Sequence, residues 1–374
     1  MKNSNPPLLP DQAMALALAQ AAAARLICPP NPAVGAVLVD AQGLVLGFGH
    51  TQVRGGPHAE VMALRHASEQ GHSTLGATLY VTLEPCSHHG RTSPCCDAVI
   101  AAGISQVVAA IADPNPLVAG QGFERLRAAG ISVEVGLGAA QSRELNIGFF
   151  SRMIRRRPWL RLKVASSLDG KTALENGQSQ WITSPEARAD GHAWRARSCA
   201  VLTGIGTVLE DNPRLDVRGI ASPRQPRLVV VDSRLQTPPN AALFAADRPV
   251  LIYAAVPDAH KQAALQASGA SVIYLPDANG KVDLQAMLTD LATQEVNEVH
   301  LEAGHKLNGS FIRADLIDEL LHYIAPKLLG HGQDLALFGP LTELDQAWAL
   351  EFLSADRVGP DLRVIARPSG RDQF

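Results

Sequence analysis

Charge of one sign is missing from this 374-residue chain: 33 Lys+Arg stand against 36 Asp+Glu, a formal net charge of −3. A global attraction to polyanions, which drives nucleic-acid and anionic-membrane binding, is therefore excluded, and any basic patch must be local. Cysteine is scarce as well. An odd total of 5, with no signal-peptide pattern in residues 1–10, argues against a secreted disulfide framework and predicts a reducing, cytoplasmic compartment. No apolar run approaches the about 20 residues that span a bilayer, and the Ala-rich stretch 13–24 reads as a soluble helix. Aromatics make up only 5%, whereas 31 Gly and 25 Pro supply the frequent turns of an α/β protein.

What is present is length and apolar content. With 46% hydrophobic residues, the chain can bury at least two cores of about 100–200 residues each. Asp11 is expected to cap a helix reaching about Leu26, ahead of the Pro-Pro-Asn-Pro turn at 29–32. Runs 33–39 and 44–48 read as a hairpin, and 58–70 as a helix closed by Gly71. Strand patterns at 77–83, 107–112 and 131–135 alternate with helical ones at 95–102, opened by Ser93-Pro94, and at 123–129. This alternation predicts a helix-covered sheet with sites at strand C-terminal ends.

The first domain is expected to close near residue 148. The stretch 152–158, carrying Arg152 and Arg155, Arg156 and Arg157, lacks interleaved aromatics and reads as a solvated linker or boundary charge cluster rather than a nucleic-acid contact. Domains are expected at residues 1–150 and 151–374. In the second, strand patterns at 159–165, 227–232, 250–253, 271–275 and 298–302 alternate with helical ones at 185–197, 259–267 and 284–292.

The most informative local pattern is His58-Ala59-Glu60, then Glu84-Pro85-Cys86 and Pro94-Cys95. One imidazole and two thiolates give zinc three protein ligands and leave a fourth position for water, the arrangement of a catalytic site. Zinc makes hydroxide available near neutral pH, and a carboxylate that is not a ligand, here Glu60, can carry protons to a leaving amine. Zinc deaminases carry H-x-E followed by P-C-x-x-C; this chain has eight residues, 87–94, between the cysteines. Cys96 projects about 100° from Cys95 on a helix, so one of the two faces the metal, and Cys95 is the expected ligand. A closed, structural site would need a fourth ligand such as His88 or His89. Cys28 and Cys199 read as small buried hydrophobes.

The sequence 30–35 (PNPAVG), His58-Ala59-Glu60 and the unbroken 84–96 (EPCSHHGRTSPCC) resemble the deaminase half of the bifunctional deaminase-reductases of riboflavin biosynthesis, where the eight-residue insert is characteristic. The reductase half of that family is matched by 163–171 (KVASSLDGK), 179–184 (SQWITS), 203–213 (TGIGTVLEDNP), 231–233, 302–304 and 324–330 (IAPKLLG), so the resemblance runs from about Asp11 to Ile365.

The resemblance implies a cytidine-deaminase-like α/β/α domain followed by a dihydrofolate-reductase-like α/β domain. It implies hydrolytic removal of the 2-amino group of 2,5-diamino-6-ribosylamino-4(3H)-pyrimidinone 5′-phosphate. NADPH reduction of the ribosyl side chain would follow, giving 5-amino-6-ribitylamino-uracil 5′-phosphate. Asn31 would orient the pyrimidine or its ribose in the first site. In the second, Ala165, Trp181, Thr207, Asp211, Ser233, Gly304, His305, Lys306, Leu307, Asn308, Gly309 and Ser310 would line the NADPH side. Ser179, Arg195, Leu215, Arg218 and Glu302 would line the substrate side, the arginine forks suiting a sugar phosphate.

Gly304 through Gly309 is expected to form a phosphate-binding turn before a helix, without the Gly-Lys-Ser/Thr of an ATP site. Asp169 and Lys171 are candidates to position the ribose. Thr51 stands where the family usually has His, and Leu26-Ile27-Cys28 replaces a Gly-x-Thr, both near the deaminase mouth. A homo-oligomer is expected, with no nucleic-acid or membrane partner. The competing classes are a zinc-stabilised nucleotide-binding protein and a tRNA or nucleoside deaminase with an accessory domain; the latter requires a basic stripe around the zinc mouth.

Overall fold

The computed structural model describes residues 7–88, 93–116 and 118–374. The chain divides into two compact units, 1–155 and 156–374. The division falls inside the basic stretch, just after a helix that runs past residue 150.

In the first unit, helix α1 (Pro10–Ala24) precedes the antiparallel pair β1 (Gly35–Val39) and β2 (Val45–His50), and α2 (Ala59–Glu69) follows. Strand β3 (Thr78–Val81), helix α3 (Cys95–Ala101), β4 (Gln106–Ala109), α4 (Gln121–Ala128) and β5 (Ser132–Val135) complete a sheet of order β2-β1-β3-β4-β5. Two helices absent from the sequence reading, α5 (Ala139–Leu145) and α6 (Ile147–Arg155), end the unit.

Small residues set how closely the helices approach the sheet. Ala13, Ala17 and Ala21 of α1 are buried, and a Cβ at Gly35 would lie 1.9 Å from the Ala17 carbonyl oxygen. Likewise Ala59, Ala63 and Ala67 of α2 are buried, and a Cβ at Gly47 would lie 2.4 Å from the Ala63 carbonyl oxygen. Alanine against glycine brings α2, with His58 as its N-cap and Glu60 in its first turn, directly onto the sheet.

Asp11 is not the cap expected of it. Leu9 is the N-cap of α1 and Pro10 begins the helix, where its missing N–H costs nothing and its φ is already helical. Similarly, Pro94 rather than Ser93 occupies the N-cap of α3.

The second unit holds a sheet of order β11-β10-β9-β8-β12-β6-β13-β16-β15. Its parallel part comprises β6 (Trp159–Ser167), β8 (Ala200–Gly204), β9 (Arg227–Val231), β10 (Val250–Ala254), β11 (Ala270–Tyr274), β12 (Glu298–Leu301) and β13 (Glu319–Ala325). Helices α7 (Pro185–Arg197), α8 (Ile205–Asp211), α9 (Ala259–Ala267), α10 (Leu284–Thr293) and α11 (His305–Arg313) connect these strands. Strands β8, β10 and β12 are buried at every position, as a parallel sheet covered on both faces requires. Strands β15 (Glu351–Val358) and β16 (Asp361–Arg367) extend the sheet antiparallel, and β7 (Lys171–Leu174) pairs with β14 (Gly332–Asp334) apart from it.

Of the arginines in 152–158 Arg156 is exposed, but the others are partly or fully buried, so the stretch is a boundary charge cluster rather than a solvated linker. Arg157 is buried and donates to Asp318 Oδ1 at 2.6 Å and to the Leu316 carbonyl at 3.0 Å, anchoring the start of β6, while Arg155 Nη2 donates to Ser151 Oγ at 2.7 Å. Cys28 is buried as expected, whereas Cys199 is only partly so.

Candidate functional site

Three potential metal ligands meet at one end of the first sheet. His58 sits at the N-cap of α2, Cys86 in the loop after β3, and Cys95 at the first residue of α3. Their ligand atoms lie within 4.8 Å of one another, with Cys95 Sγ 3.3 Å and Cys86 Sγ 3.6 Å from His58 Nδ1. The Cys95 amide donates to Cys86 Sγ at 3.3 Å, so the first turn of α3 favours the thiolate form. Hydrogen bonds from Cys95 and His58 likewise hold the Cys86 thiol well below its ordinary range.

This soft, three-donor set fits zinc. Cys96 is turned elsewhere, with its sulfur 3.3 Å from the Pro85 carbonyl oxygen. His88 does not join the cluster, and His89 lies outside the described residues.

Glu60 is 3% exposed. Burial pushes its carboxyl up to about 7; the Cys86 thiolate adds to that shift and His58 opposes it. A bound divalent cation would also oppose it. At this value the group exchanges protons readily near neutral pH.

The Asn31 turn is held from the far end of the unit. Buried Asn146, between α5 and α6, accepts from the Ala33 amide at 2.7 Å and donates to the Ala33 carbonyl at 2.9 Å. Thr51 is buried and its hydroxyl accepts from the Val34 amide at 3.2 Å, so it braces the same turn. Glu84, next to the zinc loop, accepts from the amides of Asp113, Gly120 and Gly122 at 3.1, 3.0 and 2.8 Å. No sequence pattern marks Asn146, and the motif that contains Glu84 gives no sign of its role, because the partners of both are main-chain groups distant in sequence.

In the second unit, two adjoining clefts lie over the C-terminal ends of β6, β8, β9 and β12. The first, about 880 Å³, is lined by Thr207, Ser233, Gly304, His305, Lys306, Leu307 and Ser310, and also by Arg234 and Lys281, which no sequence pattern marked. Gly206 has open space in front of it, and a Cβ at Gly304 would meet only Thr207 Oγ1, at 3.8 Å. The N–H groups of the first turn of α11 have no partner within the helix. Such a cradle suits a dinucleotide phosphate.

Gly309 does not belong to that turn. It lies inside α11, where a Cβ would come 1.8 Å from the Leu337 carbonyl oxygen, so it is a packing glycine.

The second cleft, about 480 Å³, is lined by Ser179, Arg195, Leu215, Arg218 and Glu302, together with Ala165, Trp181, Asp211 and Asn308 from the expected cofactor side. The two clefts meet at Thr207, Gly304 and His305. Arg195 grips Glu302 through both Nε and Nη2, the latter at 2.9 Å, and donates to the Asp216 carbonyl. Arg218 pairs with Asp216. Burial works against ionisation of Glu302, but Arg195 and then Lys163 override it and hold the carboxyl well below its usual range. Lys163 and His192 also line this cleft. Both could have been found by spacing, since Lys163 precedes Ala165 by one strand period and His192 precedes Arg195 by nearly one helical turn.

Asp169 and Lys171 do not face the clefts. Asp169 accepts from the Leu329 and Gly330 amides at 3.0 and 2.8 Å, and Lys171 Nζ bonds Asp334 at 2.6 Å.

Fold and sites together define a zinc deaminase joined to an α/β reductase. The family model "Cytidine and deoxycytidylate deaminase zinc-binding region" matches residues 10–111, and "RibD C-terminal domain" matches 158–364. The riboflavin biosynthesis protein RibD of Escherichia coli is 43% identical over 358 residues, covering 93% of this chain and 96% of its own. RibD of Aquifex aeolicus is 39% identical over 352 residues, with 94% and 96% covered.

Among solved structures, Acinetobacter baumannii RibD superposes with TM-score 0.88 at 38% identity, covering 96% of this chain and 98% of its own. A Thermotoga maritima diaminohydroxyphosphoribosylaminopyrimidine deaminase/5-amino-6-(5-phosphoribosylamino)uracil reductase superposes with TM-score 0.85 at 32% identity and the same coverages. The chain belongs to the RibD family, the bifunctional deaminase-reductases of riboflavin biosynthesis. No helix among the described residues is long and apolar enough to cross a membrane.

Proposed function

We propose that unit 1–155 deaminates 2,5-diamino-6-ribosylamino-4(3H)-pyrimidinone 5′-phosphate and that unit 156–374 then reduces the ribosyl side chain with NADPH. The observation that carries the reading is a three-donor His58, Cys86, Cys95 cluster beside the buried carboxyl of Glu60. When bound there, zinc supplies a water that is nucleophilic at neutral pH. Glu60 takes a proton at its carboxylate and delivers it to the departing amino nitrogen, a cycle favoured when the group's pKa lies near the working pH. Asn31 orients the ring, with Asn146 and Thr51 fixing the turn that carries it.

In the reductase unit the first cleft takes NADPH, which supplies the hydride, and the second takes the phosphorylated pyrimidine. Thr207, Ser233 and Gly304–Ser310 hold the cofactor, with Ala165, Trp181 and Asp211 reaching it from the adjoining second cleft; Gly309 serves there only by letting α11 pack. Ser179, Leu215, Arg195 and Arg218 hold the substrate, and ionised Glu302 fixes the Arg195 fork beside it. Placing both reactants in adjoining clefts converts the reduction into a step within one complex.

The use of Cys86 and Cys95 as metal ligands, which must be reduced thiolates, supports a reducing, cytoplasmic setting. Exposed Phe352 and Leu353 on the sheet-edge strand β15 support self-association, which sedimentation checks. The function is tested by removing metal with a chelator: ammonia release from the diamino compound should stop and return with zinc, while reduction of the deaminated compound continues. Ammonia release that ignores chelation contradicts the reading.

A further inference from the structure

Helix α7 places Arg188, His192 and Arg195 four and three residues apart, on one face, and all three line the second cleft. His192 Nδ1 lies 3.2 Å from the main-chain nitrogen of Arg218. A backbone N–H can only donate, so Nδ1 must accept, and the ring's hydrogen in its neutral form sits on Nε2. Covalent chemistry thus fixes the tautomer. Protonation of the ring would put a hydrogen on Nδ1 against that amide.

The surroundings keep the ring neutral. Burial is the main cause, the nearby Arg195 and Arg218 guanidinium groups add to it, and Glu302 and Asp216 oppose it; together they bring the ring down to about 4. A neutral Nε2–H donor therefore shares a cleft with two permanent cations, Arg195 and Arg218, whose charges act on the ring, and with Ser179. Its donor capacity does not change across the neutral range, unlike that of an imidazolium near its ordinary pKa of about 6.5.

We propose that His192 binds the substrate of the reductase unit, donating Nε2–H to an oxygen of its phosphate monoester beside Arg218 and Ser179. The inference rests on the reading that the second cleft takes the phosphorylated pyrimidine. The Nδ1 bond serves this role by tying the ring to the main chain of Arg218, so that the neutral donor and the cation meet one ligand together.

Two substitutions separate binding from bracing. His192→Asn keeps an acceptor near the Nδ1 position and lacks a donor at Nε2. His192→Gln carries an amide N–H out to the Nε2 position and lacks the Nδ1 acceptor. With 5-amino-6-(5-phosphoribosylamino)uracil as substrate, His192→Asn should raise its KM about tenfold, the worth of a hydrogen bond to a charged group, and leave the KM for NADPH in place. His192→Gln should recover most of that loss.

An unchanged KM in His192→Asn, or a larger loss in His192→Gln than in His192→Asn, overturns the proposal. In the unsubstituted protein, ¹⁵N spectra of labelled histidine should show the Nε2–H tautomer and a shift of Nε2 on adding the compound; an Nδ1–H tautomer overturns it. If the unsubstituted protein does not oxidise NADPH with this compound, the function assigned to the unit fails, a result distinct from a variant that matches the parent.

Discussion

Asn146 brackets Ala33, accepting from its amide at 2.7 Å and donating to its carbonyl at 2.9 Å across 113 positions of sequence. A side-chain amide carries a donor and an acceptor side by side, so one residue satisfies both main-chain groups of Ala33. Asn146→Ala should therefore destabilise unit 1–155 by about 3 kcal/mol, since two buried main-chain groups lose their partner. Deamination should fall with it, while reduction of the deaminated compound persists. Thermal unfolding and the two separate assays check this.

The zinc site predicts two different failures. Glu60→Gln should keep its metal and lose ammonia release by about a thousandfold, since proton transfer alone is removed. Cys86→Ala should lose both metal and deamination yet keep NADPH-dependent reduction. Metal content measured beside both activities separates the cases; near-normal deamination by Glu60→Gln would remove Glu60 from its role.

How much of this was legible beforehand depends on the range of the interactions. His58, Glu60, Cys86 and Cys95 form local patterns whose spacing encodes chemistry, and the structure gathers the three ligands into one cluster. Alternating strands and helices were also visible, because parallel strands buried on both faces read as continuous apolar runs. Helix α6 was missed because its last turn, with Arg152 and Arg155, runs into the basic stretch 152–158, which looks like a linker until Asp318 appears beside Arg157. Gly309 looked like part of a phosphate turn; only the Leu337 carbonyl against it gives the real reason for a glycine.

That distinction predicts the outcome of Gly309→Ala. A methyl group 1.8 Å from a main-chain oxygen forces the helix or the 337 segment to move, which should cost about 2–3 kcal/mol of stability in the reductase unit. A glycine needed only for phosphate contact would instead raise the KM for NADPH with no change in melting temperature. Thermal unfolding of the variant decides between them.

Acid should weaken the reductase unit through His322. Its ring, 2.7 Å from Ser166 Oγ, is pushed down to about 4 by burial, whereas an unfolded histidine titrates near about 6.5. Between those values the unfolded chain holds the additional proton, so stability is full above about 6.5 and falls as pH drops toward 4. The loss should be on the order of 3 kcal/mol, and His322→Gln should remove that part of the slope. An unchanged slope in denaturant titrations from pH 7 to pH 4 would place the acid sensitivity elsewhere.

The central claim is that one chain carries out both reactions in sequence. Incubating the unmodified, zinc-loaded protein with the diamino compound and NADPH, while following ammonia and NADPH absorbance in the same sample, tests it most directly. The account predicts one ammonia released for each NADPH oxidised, with ammonia release continuing when NADPH is omitted. Ammonia without loss of NADPH, or no ammonia at all, would contradict it.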